Sequence, residues 1–230
     1  MKAIILAAGK GVRMLPLTEN TPKVMVEVLG QPFLHYIIEH VQKAGCRDLG
    51  IVVGYKKEKI VDFLRQKKIK ATIIEQREQR GTGDALKQAR QFCGNEQFIL
   101  QGGDDLFSAE DLRAVSRDDK FCYVVGKEVQ DWQKYGVLVV QRENLVKIVE
   151  KPQEFVGNLA NTALYKFTPE IWEALAQVKL SPRGEYELTD AVTILAQQGK
   201  VKVLRLHGEW LGLGSKEDVV KIEDFLRKKI

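Results

Sequence analysis

Residues 6–14 read LAAGKGVRM and directly follow an apolar run that begins at Lys2. Backbone N–H groups in a glycine turn wrap a phosphate closely, because no side chain projects from Cα. Arg13 adds a planar bidentate donor. Lys23, stiffened by Pro22 before it, adds a compact point charge. The same letters also describe an ordinary strand-to-helix turn with solvated cations. Spacing excludes the two common phosphate fingerprints. A dinucleotide site wants glycines at the first, third and sixth positions and an acid about 20 residues on. Here Gly9 and Gly11 are followed by Met14, and the next apolar run ends at Gly54-Tyr55 without an acid. No glycine followed by four residues and Gly-Lys-Ser/Thr occurs, so a P-loop is excluded too.

A second group is GGDDLF, which sets Asp104 and Asp105 at the end of another apolar run. Magnesium takes one or two carboxylates plus substrate phosphate oxygens, so an acid there is a metal anchor. The structural alternative is a helix N-cap, a role open to Asp105 or Ser108 as well. Glu150-Lys151 offers a carboxylate for sugar hydroxyls and an ammonium for a phosphate, or else a plain surface pair. His35, His40 and His207 have no metal spacing, and no cysteine or serine has an evident general-base partner. Covalent catalysis therefore has no candidate.

These residues need elements to hold them, and the first half supplies an alternation. KAIILAA reads as a buried strand and PFLHYIIEHVQKAG as an amphipathic helix closed by Gly45. DLGIVVGY is a second strand, and KEKIVDFLRQK is a helix with Ile60, Val61 and Leu64 on one face. KATIIEQ, GDALKQARQFC and QFILQGG continue as strand, helix and strand. Strands separated by single helices predict right-handed crossovers and a largely parallel sheet. From Phe121 the texture changes. FCYVVGKEV, YGVLVVQ, LVKIVEK and LANTALYKF are strands with short links, which predicts an antiparallel or mixed section. PEIWEALAQV and YELTDAVTILAQQG are helices, followed by the strand VKVLRL and a last helix, KEDVVKIEDFLRKK. No repeat, low-complexity tract or linker interrupts the chain, so a single domain over residues 1–230 is expected, with a nucleotide half at about 1–120 and a second-substrate half at about 121–230. Ligands of such open sheets lie beyond the carboxyl ends of the strands. The residues there are Gly9–Arg13, Gln76–Thr82, Gly102–Asp105, Glu150–Lys151 and Asn161–Thr162.

Composition narrows the partners. Hydrophobic residues at 44% and charged residues at 29% are those of a globular chain. The net charge is only +5, and the lysine clusters at Lys56, Lys57 and Lys59 and at Lys67, Lys68 and Lys70 lack the interleaved aromatics of a nucleic-acid platform. Cys46, Cys93 and Cys122 are far apart and form no CxxC pair, which argues against a disulfide framework or zinc site and for a reducing cytoplasm. The N-terminal apolar stretch is too short for a signal peptide, and no run is long enough to span a membrane. Neither nucleic acid nor membrane is expected as a partner, and a homo-oligomer stays open.

Taken together, the motifs resemble one family. LAAGKGVRMLPLTENTPK resembles the signature Gly-x-Gly-Thr-Arg-x-x-Pro-(x)n-Pro-Lys of the sugar-phosphate nucleotidyltransferases. QREQRGTGDAL resembles that family's glutamine followed by Gly-Thr, and GGDDLF its Gly-Asp metal motif. YGVL, IVEKP, NTALYKF and GEYELTDA follow in family order. The resemblance implies a three-layer Rossmann-like α/β fold around a mixed, mostly parallel central sheet, here as the transferase domain only. It implies a nucleoside triphosphate and a sugar 1-phosphate as substrates, Mg2+ as cofactor, and an NDP-sugar and pyrophosphate as products. By the match, Leu6, Ala7, Ala8, Gly9, Gly11, Arg13 and Lys23 hold the triphosphate, with Gly103 beside them and Arg13 and Lys23 countering transition-state charge. Gln76 reads the base edge, Gly81 and Thr82 close around it, and Asp104 holds magnesium. Gly136, Glu150, Lys151, Asn161 and Thr162 hold the sugar phosphate. GTGDAL is similar to relatives that make UDP-N-acetylglucosamine, which favours UTP, with dTTP next.

Three positions depart from the pattern. Val12 stands where threonine is usual, and Ala163 where glycine is usual after Asn-Thr. In WLGLGS, Gly212 replaces the aspartate that serves the family as second magnesium ligand. Substrate phosphates and water hold much of a magnesium shell, so weakened metal affinity is expected rather than complete loss. A catalytically silent, nucleotide-sugar-binding regulatory paralogue is the alternative. A positive-φ turn before the last helix is the structural explanation open for Gly212.

Overall fold

The structure is a computed structural model describing residues 1–228 of the 230-residue chain. In chain order come β1 (Lys2–Ala7), the short pair β2 (Glu27–Val28) and β3 (Gln31–Pro32), α1 (Phe33–Lys43), β4 (Asp48–Val53), α2 (Lys57–Gln66) and β5 (Thr72–Glu75). Next are α3 (Thr82–Gln88), α4 (Arg90–Cys93), β6 (Phe98–Gly102), β7 (Asp105–Leu106), α5 (Ala109–Val115) and β8 (Cys122–Glu128). The remainder is β9 (Gly136–Gln141), β10 (Asn144–Glu150), β11 (Leu159–Phe167), α6 (Ile171–Gln177), α7 (Leu188–Gln197), β12 (Val201–Arg205), β13 (Leu211–Gly212) and α8 (Lys216–Arg227).

The main sheet has nine strands in the order β5-β4-β1-β6-β11-β8-β12-β10-β9. Its β5-β4-β1-β6 portion is parallel throughout. β11 then runs antiparallel to both β6 and β8, β12 is parallel to β8, and β10 is antiparallel to β12 and β9. The sheet is therefore mixed, as the change of texture at Phe121 predicts, but its parallel pairing is confined to the first portion and the β8–β12 pair.

Continuous apolar runs make the central strands because both faces are covered. Ile4 and Ile5, adjacent in β1, are both fully buried, one in each of two apolar clusters. The Ile5 cluster takes the inner faces of α1, α2, α5 and α8; the Ile4 cluster takes those of α3, α4, α6 and α7. In α1, Phe33, Leu34, Ile37, Ile38 and Val41 recur at helical spacing and are buried together. Each such side chain contributes about 1.5–3 kcal/mol on burial, so one Ala replacement at Ile37 loosens the apolar cluster on this face of the sheet.

Two helices differ from expectation. The helix expected over 83–93 is divided at Ala89 into α3 and α4. The unanticipated α5 begins at Ser108, whose hydroxyl accepts from the Asp111 N–H at 3.0 Å. Ser108, not Asp104 or Asp105, is thus the cap. The last position of the final expected helix, 229, lies outside the described residues. Among the described residues no helix is long and apolar enough to cross a membrane.

Candidate active site

β1 is paired on both sides along its length, so its carboxyl end delivers the chain to the middle of the sheet edge where β4 and β6 also end. The Ala8 carbonyl accepts from the Tyr55 N–H at 3.2 Å and from Gln79 Nε2 at 2.7 Å, which pins the loop's start. Gly11 takes a left-handed φ of 65°, and a Cβ there would lie 2.9 Å from Lys23 Cβ. Glycine is needed for both reasons. The buried Thr18 hydroxyl closes the loop by donating to the Gly11 carbonyl at 2.8 Å. Pro22 leads into a single 3-10 turn that buries Val24 and sends the Lys23 side chain into the cleft. Arg13 and Val12 stand exposed on the outer part of the loop, at the cleft mouth.

Lys23 Nζ meets Asp104 Oδ2 at 2.7 Å, with the lysine side chain 12% and the aspartate 42% exposed. Asp104 is anchored through its backbone: its carbonyl accepts from the Leu213 N–H at 2.7 Å, and the preceding Gly103 N–H donates to the Leu6 carbonyl at 2.8 Å. Asp105 lies beside it but is buried, accepting from Trp210 Nε1 at 2.6 Å. Burial, reinforced by the Asp104 charge, pushes the Asp105 carboxyl well above the usual range, against the pull of the Trp210 N–H.

Gly212 pairs with Asp105 across the two-stranded β7–β13 sheet. Its backbone is not among the positive-φ glycines, so the turn explanation is corrected. A Cβ at 212 would meet a single atom within 4 Å, Asp105 Oδ1 at 3.3 Å. Any side chain at this position starts against the Asp105 carboxyl group. Among the described residues no group of three or more His, Cys, Asp or Glu is placed to hold a metal ion by itself. The donor set suits a hard cation that takes one carboxylate, Asp104, and completes its shell with phosphate oxygens and water.

On one wall of the cleft, Gln76 follows β5 and is 4% exposed. Its amide nitrogen donates to the Gly81 carbonyl at 3.1 Å and to Asp84 Oδ2 at 2.8 Å. Gly81 has φ 99°, and a Cβ there would lie 2.6 Å from the Tyr186 carbonyl. The turn is stitched to the chain before α7: the Gly83 N–H donates to the Tyr186 carbonyl at 2.8 Å, and Thr82 Oγ1 accepts from the Leu188 N–H at 3.2 Å.

The opposite wall comes from β10 and β11. Glu150 keeps surface open to solvent inside the cleft, yet loss of bulk water around it raises its carboxyl pKa; the Arg183 guanidinium and Thr189 hydroxyl oppose that shift. Asn161 sits where β11 is irregular. Its Oδ1 accepts from the Ala163 N–H at 3.1 Å and its Nδ2 donates to the Tyr165 hydroxyl at 2.6 Å. That arrangement holds Ala163 at φ 58°, a left-handed backbone that favours glycine.

The cleft so formed has a volume of about 540 Å³ and is lined by Leu6, Ala7, Ala8, Gly9, Gly11, Arg13, Lys23, Gln76, Gly81, Thr82, Gly103, Asp104, Glu150 and Asn161. That size is ordinary for a small-molecule site. Gly136, Lys151 and Thr162, expected on the sugar side, do not line it. Thr162 is fully buried and donates to the Val125 carbonyl at 2.9 Å. Lys151 has its N–H committed to the Tyr135 carbonyl at 3.0 Å, while its side chain is exposed outside the cleft. Gly136 pairs with Glu150, and a Cβ there would meet Glu150 Oε1 at 3.0 Å, so it makes room for the carboxylate instead. Arg183, Glu185, Glu187 and Thr189 line the cleft without having been expected there, and Arg183 pairs with Glu187 at 2.9 Å. GEYELTDA marked this segment by family order; residue type alone could not aim it.

The nucleotidyl transferase family model matches residues 2–229. The chain is 40% identical over its whole length to the bifunctional protein GlmU of Methanocaldococcus jannaschii, covering 55% of that protein. It is 35% identical over 96% of its length to the bifunctional sugar-1-phosphate nucleotidylyltransferase/acetyltransferase of Sulfurisphaera tokodaii, covering 54% of it. The chain thus spans about half the length of these two relatives. It is 37% identical to the UTP–glucose-1-phosphate uridylyltransferase AglF of Haloferax volcanii, with 100% and 98% of the two chains covered. A UDP-glucose pyrophosphorylase complexed with UDP-glucose superposes with a TM-score of 0.90 at 27% identity, over 100% of this chain and 99% of that one. A putative glucose-1-phosphate thymidylyltransferase from Bacillus anthracis gives 0.88 at 26% identity, over 99% and 95%.

Proposed function

The chain belongs to the nucleotidyl transferase family, and from that premise we propose that it joins a nucleoside triphosphate, UTP or dTTP preferred, to a sugar 1-phosphate. A phosphate oxygen of the sugar 1-phosphate attacks the α-phosphorus in line. The bond from that phosphorus to the bridging oxygen breaks, and pyrophosphate leaves with the bond's electron pair. Such a transfer needs positioning and charge neutralisation more than proton chemistry.

The observation that carries the reading is the shared cleft: Arg13, Lys23 and Asp104 from the first half face Glu150 and Asn161 from the second. Backbone N–H groups of the loop from Leu6 to Gly11 cradle the triphosphate. Lys23 exchanges Asp104 for a phosphate oxygen, and Arg13 at the mouth covers the outer phosphates. The close approach of Gly103 to Leu6 keeps that cradle's floor clear of side chains. Gln76 presents its carbonyl oxygen to the base, with Gly81 and Thr82 framing it. Asp104 would hold magnesium, which supplies charge neutralisation on the phosphates when bound. Glu150 and Asn161 take sugar hydroxyls. Gly136 and Thr162 support that wall from behind, and Lys151 acts from outside it.

The same reading takes residues 1–230 as a single transferase domain in a three-layer, Rossmann-like frame, supported by the apolar clusters on the two faces of the sheet. Three buried free cysteines fit a reducing cytoplasm.

A pyrophosphate-release screen of four nucleoside triphosphates against a panel of sugar 1-phosphates, with magnesium present, tests the proposal. Turnover confined to UTP or dTTP with one or a few sugars is the expected result. No turnover, together with tight binding of a nucleotide sugar, would instead establish a regulatory paralogue, the outcome that the missing carboxylate at Gly212 favours.

A further inference from the structure

The Gln76 amide is held at one end by two groups that can only accept. Its nitrogen lies 3.1 Å from the Gly81 carbonyl and 2.8 Å from Asp84 Oδ2. An ionised carboxylate and a backbone carbonyl have no hydrogen to give. Turning the amide by half a revolution would set its oxygen against both of them, in a side chain that is only 4% exposed. The orientation is therefore dictated by chemistry. The nitrogen faces Gly81 and Asp84, and the carbonyl oxygen is the end left for a ligand in the cleft.

We propose that Asp84 is a specificity-determining positioning residue: by fixing the direction of the Gln76 amide, it selects uracil or thymine over cytosine. The inference rests on the proposed nucleotidyltransferase reading, in which Gln76 meets the base. Uracil and thymine carry a hydrogen on the central ring nitrogen of their pairing edge and donate it to a carbonyl. Cytosine carries a lone pair there, which opposes a carbonyl and welcomes an amide N–H. The direction of one amide thus decides between the two base types. The Gly81 carbonyl cannot be altered by substitution, whereas Asp84 is a side chain in the first turn of α3 and does not line the cleft. Its Oδ1 is 3.5 Å from Gln88 Nε2, so the carboxylate is steadied from the helix side as well.

The test is the affinity of the intact chain for UTP and CTP, each with magnesium, measured by titration calorimetry so that turnover is not required. In Asp84→Asn the new side chain is nearly isosteric but can donate, so it tolerates either direction of Gln76. The UTP-to-CTP affinity ratio should fall about tenfold, the effect of relieving one unfavourable polar contact, chiefly through tighter CTP binding. Asp84→Glu, which still only accepts, should keep the parent ratio to within about threefold. A general disturbance of the turn would weaken both nucleotides equally and leave the ratio unmoved, and that result overturns the proposal. Gln76→Ala separates the two levels of the argument. If it abolishes the ratio while Asp84→Asn does not, Asp84 has no orienting role though the base assignment stands. If the ratio survives in Gln76→Ala, or the parent binds neither nucleotide, the base assignment fails and the role of Asp84 falls with it.

Discussion

Lys23 and Asp104 balance each other's charge at 2.7 Å in the middle of the cleft, between the glycine loop and the end of β6. A phosphate that recruits Lys23 releases Asp104 for a metal, so the two roles are coupled through one contact. Lys23→Ala and Arg13→Ala should each lower turnover by roughly 10²–10³, the scale of losing one preorganised electrostatic contact. Melting temperature should change little, because Arg13 is exposed and the Asp104 carboxylate left by Lys23→Ala keeps 42% of its side chain open to solvent. Steady-state kinetics and a thermal melt check both halves of this expectation; turnover within about threefold of the parent would exclude the assignment. Gly212 belongs to the same corner. Its extended backbone carries no penalty for a side chain, and its Cβ direction leads to Asp105. Gly212→Asp should lower the magnesium concentration giving half-maximal rate. The melting temperature of that variant should fall in chelator, where the new carboxylate crowds the Asp105 carboxyl group, and recover when magnesium is added. A metal-independent melt would show that the new carboxylate points away from the site.

At the scale of elements, β11 carries the clearest internal cost. Ala163 is held at φ 58° by the Asn161 side chain, where an L-residue with a Cβ loses roughly 1–2 kcal/mol relative to its preferred backbone. Ala163→Gly should stabilise the fold by about 1 kcal/mol after the greater freedom of glycine in the unfolded chain is counted. For a chain of this length that is a rise of about 2–4 °C in melting temperature, read by differential scanning calorimetry. A lower melting temperature would mean that the Ala163 methyl makes contacts worth more than the strain. The family resemblance marked this position as unusual, but only the backbone angle says why glycine is the common choice. Long apolar runs such as those of β1, β4 and β6 were legible because period and length decide them. The two-residue partners β7 and β13 were not, since nothing local distinguishes two residues that pair only because Leu106 and Leu211 arrive side by side. α5 escaped notice for a related reason: its seven residues offer little periodicity, and its start depends on the Ser108 cap. At the site, strand-end position found the loop residues, whereas Thr162 was misdirected because the bulge in β11 turns its hydroxyl to Val125.

For the whole molecule, the cleft is the place where two differently built portions of one sheet meet. Ligands that span it bind only the folded state and so stabilise the entire chain by mass action, about 2.7 kcal/mol at a hundredfold excess over the dissociation constant. Magnesium-UTP should therefore raise the melting temperature, CTP less so, and a UDP-sugar that touches both walls at least as much as UTP. A thermal-shift series with these ligands checks the order; equal shifts for UTP and CTP would mean that the base is not read.

The antiparallel seam between β6 and β11 has a consequence for recombination. Because β11 is hydrogen-bonded to β6 on one side and to β8 on the other, residues before and after about 120 are not interchangeable cassettes. A chimera joining the front of this chain to the rear of a relative must reproduce the pairing Tyr165↔Leu100 and its neighbours, since a slip of one residue turns every side chain of β11 to the opposite face. Useful crossover points lie instead in the exposed turns, such as the one at Arg142-Glu143 between β9 and β10, which closes its hairpin at the end away from Glu150 and can be exchanged without disturbing that seam.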